Sequence, residues 1–274
     1  MHLTTFIKKN LTSFFSLITK SGTNCNDRLR RLIAHMIASE DCRATISTKH
    51  GPFTLRTNSE IECYRVESFF TKEPETLRWI DKTVTPTSVF YDVGANVGIY
   101  SLYAAQRSQG SIKVYCFEPA GTNFRNLCRN INDNGFGESI RPFPMALSDK
   151  IGVIDFPLSD MAPGSALHGD VHHKDKNPAL VQGAVVMPLD YLIQKHQDVF
   201  ASPTHLKIDV DGPELEIIKG SIQTLKLANL RHILVETEQH TNKEILEILE
   251  GAGFTLKERV QQAPNIFNCI FEKL

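Results

Sequence analysis

Carboxylates recur in this chain directly after short apolar runs. Asp92 ends the run 88–93, Glu118 follows 113–117, and Asp149 follows 140–147. Asp209 and Asp211 end the run 205–210, and Glu236 and Glu238 close the run at 232–236. Acidic side chains gathered in this way attract a cationic ligand and repel a polyphosphate. Between the first run and the next helix lies Asp92-Val-Gly-Ala-Asn-Val-Gly98. Gly94 stands where the backbone must bend tightly or approach a ligand, and Gly98 where a helix must pack closely on its strand.

The type of ligand follows from the turn. A dinucleotide site calls for a further glycine at position 96, because bulk there blocks the pyrophosphate. Asn96 and the absence of G-x-G-x-x-G spacing argue against NAD or FAD. S-adenosylmethionine (SAM) has no phosphate, and its sulfonium and ammonium charges suit a carboxylate rim that includes Asp92. Glu118 is placed to accept two hydrogen bonds from ribose hydroxyls; the plainer reading is a carboxylate favouring a helix N-terminus. Asp149, in Ala146-Leu-Ser-Asp149, could accept from an adenine amino group or be an ordinary turn aspartate.

For methyl transfer, a protein must align the acceptor and, for an alcohol, remove its proton. Asp209 is the first choice as base or orienting group, and Lys207 shares its side-chain direction on a strand and can pair with it. Asp211 and Glu214 could equally serve only to open the next helix. Asp209, Asp211 and Glu236 offer oxygen ligands that Mg²⁺ could use, and His168, Asp170, His172 and His173 form a tempting group in a long loop. Adjacent histidines on an irregular loop are more often solvated, and no metal ligand is assigned.

The elements that must position these residues alternate regularly. Residues 88–93 read as a strand followed by a helix with Ile99, Leu102 and Tyr103; 113–117 as a strand followed by a helix with Phe124, Leu127, Cys128 and Ile131 on one side. A third strand is expected near 140–147. The pattern then lapses between 149 and 186 into Gly, Pro, His and Asp, interrupted by a short strand at 152–156. A loop of that length usually has a function, and Pro163-Gly164 and Gly169 are expected to let it close over an acceptor. Then come a helix at 189–196, a strand at 205–210, one helix with Leu215, Ile218, Ile222 and Leu225, a strand at 232–236, a helix ending near Gly251, and strands at 254–257 and 266–271. The fold expected from this alternation is α/β: an open, mostly parallel sheet with helices on both faces and an antiparallel C-terminal hairpin.

Taken together, FYDVGANVGIYS, CFEP, ALSD and LKIDVDGPELEIIKG resemble the FkbM family of SAM-dependent methyltransferases, over about 73–238. The resemblance implies a class I methyltransferase (Rossmann-like), seven-stranded sheet, SAM as methyl donor and O-methylation of hydroxyls on glycans, lipids or secondary metabolites. By position it implies that Asp92, Gly94, Asn96, Gly98, Glu118 and Asp149 line the donor site. Members often carry Glu where this chain has Asp211. Residues 1–70 lack such motifs and are expected to be a helical or irregular lead-in, with a short hairpin at 51–64; the catalytic domain is expected at 71–274.

Composition narrows the partners. Lys and Arg total 30 against 31 Asp and Glu, a net charge of -1, so no field exists to gather nucleic acid. A small-molecule or glycan-like acceptor is expected instead. Cys25, Cys42, Cys63, Cys116, Cys128 and Cys269 lack metal-like spacing, which suggests a cytoplasmic protein with reduced thiols. No run approaches a membrane span. Ile7, Leu11, Phe14, Phe15 and Ile18 could share one side of an amphipathic helix that packs on the body or on another subunit. Two other readings stay open: a nucleotide-linked oxidoreductase on a similar sheet, and a non-catalytic SAM-binding subunit.

Overall fold

The computed structural model describes residues 42–166 and 178–273, so the expected helix around Ile7 and the group His168, Gly169, Asp170, His172 and His173 lie outside the described residues. The described elements begin with β1 (Arg43–Thr48), β2 (Gly51–Arg56), α1 (Glu60–Glu67) and α2 (Pro74–Thr83). The first pairs of the sheet follow: β3 (Val89–Val93), α3 (Ile99–Arg107), β4 (Lys113–Phe117), α4 (Gly121–Asp133) and β5 (Ile140–Phe143). Next come β6 (Ala146–Leu147), β7 (Gly152–Leu158), β8 (Leu180–Met187), α5 (Leu189–Lys195) and β9 (His205–Ile208). The chain continues with α6 (Glu214–Lys219), α7 (Ile222–Leu225), β10 (His232–Glu238), α8 (Asn242–Gly251), β11 (Thr255–Ala263) and β12 (Ile266–Glu272).

The main sheet has seven strands in the order β11-β12-β10-β9-β3-β4-β5. β5, β4, β3, β9 and β10 are parallel, while β12 runs antiparallel to both β10 and β11. This is the class I methyltransferase, Rossmann-like sheet with its C-terminal hairpin. After β3 the chain lays β4 and β5 to one side and later returns to place β9 on the other, so strand order reverses between β3 and β9. Ligands in such sheets bind in the crevice outside the carboxyl ends at that reversal.

Alternation along the strands divides the core into two layers. Leu234 and Ile270 join Phe90, Leu102 and Leu127 on one face, whereas Ile233, Val235, Cys269 and Phe271 join Ile208, Ile218 and Ile245 on the other. Ile46, Phe53, Leu55 and Phe69 pack into the first layer, so residues before position 70 share the core of the sheet. The hairpin here is β1–β2 and ends at Arg56, earlier than the 51–64 expected; the rest of that stretch is α1. Ser59 explains the start of α1, because it forms a capping box with Glu62.

Two further differences bear on the site. The expected loop at 149–186 is largely sheet: β7 and β8 are antiparallel, and β8 is parallel to β6, giving a separate three-stranded layer of order β6-β8-β7. Only Ala146 and Leu147 of the run 140–147 join it, while Ile140–Phe143 stays in the main sheet. The single helix expected over 215–225 is split at Gly220. A Cβ there would come 2.0 Å from the Ser148 carbonyl oxygen, so the backbone must pass close at a point where a continuous side-chained helix could not.

Candidate functional site

A cleft of about 450 Å³ opens at the carboxyl ends of β3, β4, β9 and β10, within the ~300–1,000 Å³ range of small-molecule sites. Its floor is the β3–α3 turn. Gly94 has φ 81, and a Cβ on it would lie 1.9 Å from the carbonyl oxygen of Asp209, so only glycine allows the two strand ends to approach. Asn96 follows with φ 52, a conformation that asparagine tolerates.

All five N–H groups of this turn are already engaged. Those of Gly94 and Ala95 donate to the Phe117 carbonyl at 3.0 and 3.1 Å, and that of Gly98 donates to Ala95 at 2.8 Å. The Asn96 N–H donates to Glu118 Oε2 at 2.8 Å, and the Val97 N–H to Asn96 Oδ1 at 2.9 Å. A phosphate bound at such a turn depends on free backbone N–H groups. This turn has none to offer and sets a carboxylate beside them.

Glu118 lines the cleft with only 5% of its surface exposed. Its second oxygen accepts from the Ala120 N–H at 2.8 Å. Burial pushes its pKa up to about 7, against the pull of those N–H groups and of Arg65. Each carboxylate oxygen carries two lone pairs, so both retain capacity for a hydroxyl donor.

The other end of the cleft is built on β9. Lys207 is fully buried, with its Nζ 2.8 Å from Asp209 Oδ2, 3.9 Å from Asp92 Oδ1 and 5.1 Å from the Tyr100 ring centroid. Burial works against its charge, but Asp209, Asp92 and Glu73 outweigh it and raise the lysine above its ordinary range. Burial also pushes Asp209 upward, yet the charge and hydrogen bond of Lys207, with Lys72 and Arg65, hold it below the usual carboxylate value. Glu236 has no such cation. Burial, then the charges of Asp209, Glu214, Asp211 and Glu73, lift it to about 9, so it is protonated at neutral pH.

Gly94, Asn96, Glu118, Lys207, Asp209, Asp211 and Glu236 therefore meet in one cleft. Asp92, Gly98 and Asp149 do not line it. Asp92 is 1% exposed and lies behind Lys207, accepting from Ser101 Oγ at 2.5 Å; burial raises its pKa against the pull of Lys207 and Ser101. Gly98, with φ 87, makes room for Leu127 of α4, whose Cδ1 would lie 2.5 Å from a Cβ there. Asp149 is exposed and takes a hydrogen bond from Ser148, while its neighbours Ser148 and Lys150 face the cleft. Glu214 accepts from the Val210 and Gly212 N–H groups and so shapes the turn after β9. Among the described residues, no group of three His, Cys, Asp or Glu side chains converges to hold a metal ion.

Sequence reasoning missed the upper wall. Arg65, Lys72 and Glu73 reach the cleft from α1 and the start of α2, and Ile154, Phe156 and Val186 from the three-stranded layer. Gln182 ties that layer to the exit of β4, donating to the Pro119 carbonyl at 2.7 Å and accepting from the Gly121 N–H at 3.0 Å. Pro163-Gly164, expected to be one of the loop's flexible points, is held together with Ser165 as a strap. Its carbonyls accept from Ser59 Oγ (2.6 Å), Arg65 Nε (2.8 Å) and Asn96 Nδ2 (2.8 Å), and the Gly164 N–H donates to Asn123 Oδ1 at 2.8 Å. The helical pattern at 75–82 and the strand pattern at 152–156 mark two elements of this wall in the sequence, and the Ser59–Glu62 capping box could have marked α1, but none of these signals says that the side chains reach the cleft.

The family described as the methyltransferase FkbM domain matches residues 92–256. Methyltransferase sdnD of Sordaria araneosa is 27% identical over 229 residues, covering 74% of this chain and 88% of its own length. Hexuronic acid methyltransferase AglP of Haloferax volcanii is 26% identical over 213 residues, covering 76% and 80% respectively. The 31-O-demethyl-FK506 methyltransferase FkbM of Streptomyces tacrolimicus is 26% identical over 199 residues, covering 62% and 74%. Among the described residues, no helix is long and apolar enough to cross a membrane.

Proposed function

The chain belongs to the FkbM methyltransferase family, and from that premise we propose that its cleft binds SAM and that the enzyme methylates a hydroxyl oxygen of a glycan, a lipid or a secondary metabolite. The observation that carries the choice of donor is the β3–α3 turn, whose N–H groups are all engaged and whose rim is the Glu118 carboxylate. A pyrophosphate would find repulsion there; a cationic nucleoside finds attraction. This disfavours the oxidoreductase reading.

When bound, SAM supplies a methyl group made electrophilic by its sulfonium. Glu118 has lone pairs free to hold ribose hydroxyls. Asp209, kept ionised by Lys207, accepts the acceptor's O–H and turns an oxygen lone pair toward the donor. Its low pKa makes it a weak base, so it orients the hydroxyl first and takes the proton only as the oxygen becomes positive. Glu236, neutral at pH 7, can donate a hydrogen bond to a second acceptor oxygen. The names of two relatives, one acting on a hexuronic acid and one at a 31-O position, support an oxygen as the methylated atom and include a sugar among acceptors.

Incubation with methyl-labelled SAM and a panel of hydroxylated sugars, lipids and metabolites tests this reading. The expected product holds its label through mild alkali, as an ether does. Label released by mild alkali would put the methyl on a carboxylate and overturn the hydroxyl assignment. SAM binding without transfer to any panel member would favour a non-catalytic subunit.

A further inference from the structure

The donor proposed above, on whose identity this inference rests, carries an α-amino-acid end with one carboxylate and one ammonium. The strand ends offer that end neither a free N–H at the β3–α3 turn nor the Asp92 carboxylate, which is buried beside Lys207. The lead-in supplies what is missing. Arg65 from α1 and Glu73 from the start of α2 both line the cleft, although neither belongs to the parallel sheet. We propose that Arg65 and Glu73 read the zwitterionic end of the donor, the guanidinium taking the carboxylate and the Glu73 carboxylate the ammonium.

Position supports the assignment. In the proposed function Glu118 marks the ribose end of the cleft and Asp209 the transfer end, and Arg65 lines the same cleft, near enough for its charge to act on both carboxylates. The amino-acid arm branches from the sulfur, which joins those two ends of the donor. Arg65 Nε is fixed by the Gly164 carbonyl at 2.8 Å, which aims the rest of its planar fork and leaves its terminal N–H groups for a carboxylate. Glu73 is 5% exposed and is held by Lys72 at 3.1 Å and by Thr76 Oγ1 at 3.2 Å. It is hydrogen-bonded with the Tyr100 side chain and its charge acts on Lys207 and Glu236, all lining the same cleft. The strap and the donor would then share one arginine, so occupancy also stiffens residues 163–165.

Two ligands separate this idea from looser ones. S-Adenosylhomocysteine has the amino-acid end, and 5′-methylthioadenosine lacks it while keeping adenosine and sulfur. Calorimetry on the full chain should show R65A and E73Q weakening S-adenosylhomocysteine by about 10- to 100-fold, the scale of a charge-assisted hydrogen bond, with 5′-methylthioadenosine unchanged. R65K should recover part of the loss. Equal weakening of both ligands would mean the residues act only by shaping the cleft, and unchanged S-adenosylhomocysteine binding would remove them from the site; either overturns the proposal. If the unsubstituted protein binds neither ligand, the donor assignment itself fails.

Discussion

Lys207 holds its ammonium 2.8 Å from the Asp209 carboxylate and 3.9 Å from that of Asp92, so one buried cation stands between a carboxylate of the cleft and one beneath it. Removing it leaves two acidic groups facing each other without compensation. Lys207→Met should cost about 3–5 kcal/mol of stability, the usual penalty for stranding a buried charge, as read by denaturant unfolding. Asp209→Asn keeps the shape and should lower kcat by ~10²–10⁴-fold with a much smaller change in S-adenosylhomocysteine affinity. Equal losses in both quantities would give Asp209 a donor-binding role instead.

Gly94 brings the β3 turn against the Asp209 carbonyl. Gly94→Ala places a Cβ 1.9 Å from that oxygen and a side chain at φ 81. The backbone conformation alone costs about 1–3 kcal/mol, and relief of the clash must separate β3 from β9. The variant should lose stability in thermal unfolding and lose donor binding with it. Unchanged binding would show that the two strand ends need not touch.

Glu236 makes stability depend on pH. Its folded pKa of about 9 lies above its ordinary value of 4.5, so the folded state retains a proton that the unfolded chain releases. Between those values the folded state binds more protons, and stability falls as pH rises. Glu236→Gln removes that dependence, so its melting temperature relative to the parent should climb from pH 5 to pH 9. A constant difference over that range would count against a neutral Glu236.

The strap depends on Asn123, which accepts from the Gly164 N–H at 2.8 Å and donates to the Ser165 carbonyl at 3.1 Å. Asn123→Ala leaves both groups without that partner, at about 1–3 kcal/mol for each one that stays buried. Limited proteolysis should then cut near 163–165 faster than in the parent protein. An unaltered rate would show that Ser59, Arg65 and Asn96 suffice.

The sequence made the sheet legible where a strand and its helix are neighbours. Apolar runs at β3, β4, β9 and β10, with the 3.6-residue pattern of α4, depend on local period alone. β7 was legible over 152–156, but its continuation to Leu158 and its partner β8 escaped, because their pairing spans a long insertion and their outer face is apolar: Val153 is 75% exposed opposite Val185 at 41%, which erases the alternation that marks a half-buried strand. Gly220 was hidden for a related reason, since its demand comes from Ser148, far away in the chain. In the site, carboxylates at strand ends could be found from sequence, but the direction of a side chain could not. Asp92 and Asp209 look alike as strand-end acids, and only the fold shows one beneath Lys207 and the other above it. Arg65 and Glu73 carried no spacing signal because they reach the cleft from outside the sheet.

In the proposed function, an acidic cleft with no free backbone N–H group at its turn selects a phosphate-free nucleoside over a dinucleotide. Calorimetric titration of the unsubstituted protein with S-adenosylhomocysteine and, separately, with NADH distinguishes the two ligands. Saturable binding of S-adenosylhomocysteine with no heat of binding from NADH is the expected result. Saturable binding of NADH with none of S-adenosylhomocysteine would overturn the choice of donor.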